Sequence, residues 1–172
     1  MRGKVVVSAA VAAIVAGLST FAPRAAQARG EVVTMREAFL PGTIIVRTRE
    51  RRLYLTLGGG RAIRYPVGVG RRGMQWAGTS FIDGKYIKPA WSPPPEIKRE
   101  NPSIPDVIPG GSPRNPMGVA AMTLHGGQYA IHGTNTPRTI GGFVSHGCIR
   151  MYNADITDLY GRVSVGTRVV VQ

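Results

Sequence analysis

Three runs between residues 43 and 69 decide the architecture: Thr43-Ile44-Ile45-Val46-Arg47-Thr48, Arg52-Leu53-Tyr54-Leu55-Thr56-Leu57 and Ala62-Ile63-Arg64-Tyr65-Pro66-Val67-Gly68-Val69. The first is largely β-branched. The second alternates with Leu on one face, the period-two pattern of a strand whose faces meet different surroundings. Gly58-Gly59-Gly60 separates the second run from the third at hairpin distance, which predicts an antiparallel meander. Pro66 has no N–H to give to a ladder, so it is expected at an edge or a strand end.

The same grammar continues downstream. Gly78-Thr79-Ser80-Phe81-Ile82 reads as a further strand, and residues 118–124 and 128–131 as two strands joined at His125-Gly126-Gly127. Gly166-Thr167-Arg168-Val169-Val170-Val171 is a closing strand. Asn153 is placed to cap a short helix over residues 154–160, stopped by Gly161. Residues 29–40 carry little pattern and are read as a short N-terminal arm. Nine of the 13 prolines fall between Pro89 and Pro116, a density at which no regular element is expected. Trp91, Ile97, Ile104, Val107 and Ile108 in that stretch predict packing on a surface, as a lid or a groove wall. With 23 Gly and 13 Pro against 4 Phe and 2 Trp, a helical bundle is excluded. The 172 residues, 43% apolar and 18% charged, suit one mainly β domain over residues 41–172, with one or two short helices and a long Pro-rich loop.

The start of the chain reads as an export signal. Arg2 and Lys4 precede an apolar run from Val5 to Leu18, too short to span a membrane comfortably, and Ala26-Gln27-Ala28 offers a small-residue cleavage site. Cleavage after Ala28 makes residues 1–28 a signal peptide and places the mature protein in the periplasm; the alternative is an uncleaved anchor. The whole chain carries 22 Lys and Arg against 9 Asp and Glu, a net +13, of which the mature part keeps +10. The bases are scattered rather than striped, and an exported protein meets little nucleic acid, so nucleic acid is not the expected partner. An acidic cell-envelope polymer fits the charge better.

Cys148 is the only cysteine, so neither an internal disulfide nor a four-cysteine zinc site can form. In Ser145-His146-Gly147-Cys148 the thiol follows a glycine, where the chain can turn sharply and aim backbone N–H groups into a site. His132 lies 16 residues upstream at the end of a predicted strand. A thiol is mostly protonated at neutral pH, and a neighbouring imidazole is the usual means of removing that proton. Cys148 and His132 are therefore a candidate nucleophile and base. From the residues alone, Cys148 could equally be a small buried apolar group, and His146, two residues from the thiol, is the rival base. His125 reads as an exposed turn residue. A metal site would need His125, His132 and Cys148 to converge without helical spacing, so neither metal nor cofactor is expected.

His132-Gly133-Thr134-Asn135 followed by Ser145-His146-Gly147-Cys148-Ile149-Arg150-Met151 closely resembles the signature of the L,D-transpeptidase catalytic domain, the YkuD domain. Trp91-Ser92-Pro93-Pro94, Asn115-Pro116-Met117-Gly118 and Gly166-Thr167-Arg168-Val169 extend the resemblance over roughly residues 41–172. It implies a mostly β, sandwich-like fold and an enzyme of peptidoglycan remodelling. In that family the cysteine attacks the carbonyl of the L-centre of meso-diaminopimelate in a tetrapeptide stem and expels D-Ala. An amine, usually of a second stem, then resolves the thioester and gives a 3-3 cross-link. The resemblance makes Cys148 the nucleophile, His132 the base and Gly133 the residue whose carbonyl orients it. The Cys148 N–H, with Gly147 nearby, would line the oxyanion hole. His146 and Ser145 would shape the site, and Arg150 would meet a substrate carboxylate, with Tyr129 and Trp91 as further substrate contacts. Arg150 stands where many members carry Asn, and no separate wall-binding module is visible. Hydrolysis by water, transfer to an envelope protein as acceptor, and a non-catalytic wall-binding role are the alternatives. Carbapenems, as strained acyl donors, are expected covalent inhibitors.

Overall fold

The computed structural model describes residues 30–172; the predicted signal peptide lies outside them. The meander is present as β2 (Ile44–Arg47), β3 (Arg52–Gly58) and β4 (Arg61–Gly70), antiparallel in that order. The β3–β4 turn needs Gly58, Gly59 and Gly60 all at positive φ, 81°, 59° and 67°, a run that side chains would strain. Alternation holds where it was read: Leu53 and Leu55 enter the main core. Tyr54 on the opposite face packs with Ile45, Ala62 and Met35.

Residues 29–40 are more than an arm. They contain β1 (Glu31–Thr34), which pairs with β4, and Met35 and Phe39 cover the outer face around Ile45 and Tyr54. Only Val33 of this strand turns away from solvent, so no buried face marks it in the sequence.

The remaining elements are β5 (Gly78–Ile87), α1 (Pro95–Glu100), β6 (Ala120–Leu124), β7 (Ala130–His132), β8 (Phe143–Ser145), β9 (Ile149–Met151), α2 (Asn153–Arg162) and β10 (Arg168–Val171). One layer runs β1-β4-β3-β2-β10-β5 and the other β5-β6-β7-β9-β4. The two long strands β4 and β5 belong to both, so the pairing closes on itself as a flattened, sandwich-like barrel. β5 changes layer at a bulge between Ile82 and Gly84. β4 changes at Pro66: Arg61–Arg64 flank β1, whereas Val67 and Gly68 flank β9. The missing N–H falls where the neighbour changes, which is how a proline is accommodated inside a ten-residue strand. Ile44, Leu53, Tyr65, Met122, Ile131, Ile149, Met151 and Val169 fill the space between layers.

The fold is mainly β with two short helices, as expected. Three local expectations are corrected. The Pro-rich stretch holds a helix, α1, because Pro95 sits at its first turn, where no N–H is needed. Asn153 does not cap α2; Tyr152 is the cap residue and makes no side-chain cap bond. Gly161 does not stop α2 either. Lys85 Nζ, from β5, donates to the carbonyls of Tyr160 and Val163 at 2.7 and 2.5 Å, satisfying helix-end acceptors that a glycine turn would otherwise serve.

Candidate active site

His132 ends β7 and Cys148 immediately precedes β9; these two strands are parallel neighbours, with Ile131 opposite Ile149 and His132 opposite Arg150. Register alone therefore gathers the three side chains at one end of the second layer. They line a small cleft of about 70 Å³ with Ser145 and His146, walled by Trp91, Pro94, Glu96, Ile97, Pro116, Met117 and Gln128. The Pro-rich segment supplies much of that wall, so it forms one side of the groove, as expected.

The segment is pinned by backbone bonds between Trp91 and Ile108, 2.9 and 2.8 Å, and by Asn115. Asn115 is buried; its amide donates to the carbonyls of Pro89, Ile108 and Pro109, and its Oδ1 accepts from Met117 N–H. Prolines cannot bond to one another through N–H groups, so a side-chain amide gathers three carbonyls of the segment.

The turn carrying the thiol is built around Gly147. Its φ is 117°, the Ser145 hydroxyl accepts from Gly147 N–H at 3.1 Å and donates to the Cys148 carbonyl at 2.6 Å. Ser145 is buried and both roles of its hydroxyl are used by this turn, so its contribution is to hold Cys148 in place. Trp76 Nε1 donates to the Gly147 carbonyl at 3.0 Å, and its ring stacks on Tyr129, centroids 4.9 Å apart. Tyr129 therefore buttresses the turn that carries Cys148.

His132 is buried, and its Nδ1 lies 2.7 Å from the Gly133 carbonyl. A carbonyl only accepts, so Nδ1 carries the proton and Nε2 is left with a lone pair. Gly133 is in turn held by Asn153, whose Oδ1 accepts from Thr134 N–H at 3.0 Å and Val119 N–H at 3.4 Å. A Cβ on Gly133 would come within 2.4 Å of that oxygen. The amide expected to cap α2 thus fixes the chain beyond His132.

Burial, reinforced by the Arg150 charge, pushes the His132 imidazole down to about 4 against the pull of the Gly133 and Pro116 carbonyls. Burial pushes the Cys148 thiol up, while the Ala130 backbone and Arg150 draw it down and Glu96 adds to the rise. The resting pair is a neutral thiol and a neutral imidazole. Burial also draws the Arg150 guanidinium down, and its Nε is buried without a partner. His146 Nε2 faces Glu100 Oε2 at 3.0 Å; a carboxylate only accepts, so this nitrogen donates and is not free as a base. His125 is exposed in its turn.

The model of the YkuD family, described as the L,D-transpeptidase catalytic domain, matches residues 41–171. The chain belongs to that family. The Probable L,D-transpeptidase YbiS of Escherichia coli is 38% identical over 167 residues, covering 89% of this chain and 52% of YbiS, so the chain spans about half the length of that relative. L,D-transpeptidase 3 of Mycobacterium tuberculosis, solved with a faropenem-derived adduct, matches 76% of this chain and 59% of its own at a TM-score of 0.59 and 16% identity, a likeness of fold. A Brucella melitensis structure described as a Probable carnitine operon oxidoreductase is 39% identical, covering 84% of this chain and 93% of that one, at a TM-score of 0.56. In this YkuD domain Gly68-Val69-Gly70-Arg71-Arg72-Gly73 spells Gly-x-Gly-x-x-Gly, yet it ends β4 and leads to β5 without a helix. That is not the strand-turn-helix that grips a dinucleotide.

Asn115, Trp76, Asn153, Gln128, Glu96 and Glu100 were not singled out from sequence as site residues. Only Asn115 carried a signal, inside its Asn-Pro-Met-Gly block.

Proposed function

We propose that this YkuD domain is a peptidoglycan L,D-transpeptidase, an acyltransferase acting through Cys148. The observation that carries the proposal is that the parallel pairing of β7 with β9 brings His132, Arg150 and the Cys148 that precedes β9 into one cleft. His132 Nε2 takes the thiol proton as sulfur attacks the carbonyl of the diaminopimelate L-centre. Burial pushes the imidazole down, so it rests neutral with its Nε2 lone pair able to accept. The tetrahedral oxyanion is met by the Cys148 N–H at the Gly147 turn, where loss of one donor typically costs about 100-fold to 1000-fold. Collapse expels D-Ala with the proton from His132 and leaves a thioester. A primary amine then attacks it: the C–N bond forms, the C–S bond breaks, and the proton shed by nitrogen returns to sulfur by way of His132. Arg150, unpaired at Nε, binds a stem carboxylate. Trp91 packs against the stem, and Tyr129 serves the site through Gly147.

A strained β-lactam such as a carbapenem presents the same thiol with an acyl donor, and we expect it to acylate Cys148. The export signature at the N-terminus supports a periplasmic location. Among the described residues, no helix is long and apolar enough to cross a membrane.

The test is mass spectrometry of the mature protein with a disaccharide-tetrapeptide. A dimer lacking one D-Ala establishes transpeptidation, tripeptide alone establishes hydrolysis, and no product with an unmodified enzyme leaves the wall-binding role. Cys148→Ala abolishes both products with the fold intact, and His132→Ala slows thioester formation strongly.

A further inference from the structure

Helix α1 forms part of the cleft wall although none of its residues is buried. Lys98 bonds only within the Pro-rich segment, to the Ile104 carbonyl and to Asp106. Glu100 reaches the barrel instead. Its Oε1 meets Arg71, at the end of β4, and its Oε2 meets His146 Nε2 at 3.0 Å. Among the described residues these are the only ion pairs between α1 and the barrel. Arg71 and His146 hold the carboxyl of Glu100 below the ordinary range, Arg71 first.

A guanidinium and an imidazole N–H converging on the two oxygens of one carboxylate make a carboxylate-binding site, here filled from within the chain. His146 also lines the Cys148 cleft, so the site opens onto the place where the acyl donor lies. The side chains of Glu100 and Arg71 are 47% and 41% exposed, and ion pairs so exposed are weak, which makes the resident carboxylate easy to exchange. We infer that Arg71 and His146 are a second carboxylate subsite of this enzyme, that Glu100 occupies it in the free protein, and that an acidic peptide displaces Glu100 and releases α1 from the barrel as it binds. Arg150 serves one carboxylate of the peptide inside the cleft; the pair at the mouth serves the carboxylate on the diaminopimelate side chain. The inference rests on the transpeptidase reading for the identity of the peptide.

The sign of one substitution separates a competitor from a simple latch. If Glu100 only held the lid shut over substrate, its loss would weaken peptide binding; as the resident competitor, its loss strengthens it. Binding is read by calorimetry on Cys148→Ala protein, independent of turnover, with the tetrapeptide and with the same peptide amidated at the diaminopimelate side-chain carboxylate. Adding Glu100→Gln is expected to tighten the free-acid peptide about threefold to tenfold and to leave the amidated peptide unchanged. Arg71→Gln, at an exposed position that tolerates the change, is expected to weaken the free-acid peptide by a similar factor and again to spare the amidated one. Weaker binding in Glu100→Gln, or an Arg71→Gln variant that does not distinguish the two peptides, overturns the subsite. If neither peptide binds the unaltered cleft, the transpeptidase reading fails and the subsite with it.

Discussion

Gly147 and Tyr129 are in such contact that a Cβ on the glycine would stand 2.3 Å from Tyr129 Cε1. The ring lies against the backbone of the turn that presents Cys148, with Trp76 stacked behind it and bonded to the Gly147 carbonyl. The glycine is required twice, by this approach and by its φ of 117°. Gly147→Ala is expected to cost about 1–3 kcal/mol of stability and to cut D-Ala release at least about 100-fold, because the turn and its oxyanion donor shift together. Adding Tyr129→Ala frees the space but not the backbone, so the double variant regains part of the thermal stability and little of the activity. Thermal unfolding and D-Ala release on both variants check this.

Asn115 is the counterpart of that buttress on the other wall. Replacing it with Ala leaves the Pro89 carbonyl without its donor and the Ile108 and Pro109 carbonyls with only the Trp91 and Ser112 backbone N–H groups, and a buried unpaired acceptor costs about 1–3 kcal/mol. Asn115→Ala is expected to lower the melting temperature and to make the 89–116 segment a site of rapid proteolysis while the barrel survives. Cleavage mapped elsewhere, or no faster than in the parent, would show that the segment is held by other contacts.

The meander was legible because β-branched and alternating runs are bounded by an unmistakable glycine turn. β1, β8 and β9 were not, since strands of three or four residues amid Gly and Pro hold at most two cycles of the alternation. The site shows the same division. Ser145-His146-Gly147-Cys148 announces itself because its residues act on neighbours in the chain. Trp76 meets Gly147 across 71 residues and Glu100 meets His146 across 46, and separations of that size leave no local pattern. Asn153 misled for a physical reason: an Asn before a helix is a natural cap, but the backbone N–H groups of Val119, just before β6, and Thr134, just after β7, compete for the same oxygen.

A thiol raised by burial and partly restrained by Arg150 has a characteristic alkylation profile. The rate with iodoacetamide follows the thiolate fraction, so its half-rise is expected above the ordinary thiol value of about 8.5, with no plateau at neutral pH. Arg150→Gln removes a charge that favours the thiolate, moves the half-rise further up and slows alkylation at pH 7.5 about threefold to tenfold. A plateau between pH 6 and 7 would mean a preformed thiolate–imidazolium pair instead.

Asp155, in the first turn of α2, is fully buried, and neither of its carboxyl oxygens has a hydrogen-bond partner. Burial first, and the nearby Asp158 second, push it up to about 7. In the folded protein it therefore keeps its proton up to about pH 7, while in the unfolded chain it loses it near 4. Between these values only the unfolded state gives up the proton as pH rises, so stability declines across that window and levels off above it. Asn mimics the protonated acid and cannot ionise. Asp155→Asn is expected to match the parent at pH 4 and to exceed it by on the order of 1–3 kcal/mol at pH 8, the gap opening between pH 4 and 7. Chemical denaturation of both proteins at pH 4, 6 and 8 measures this, and a gap independent of pH would show that Asp155 is ionised in the fold.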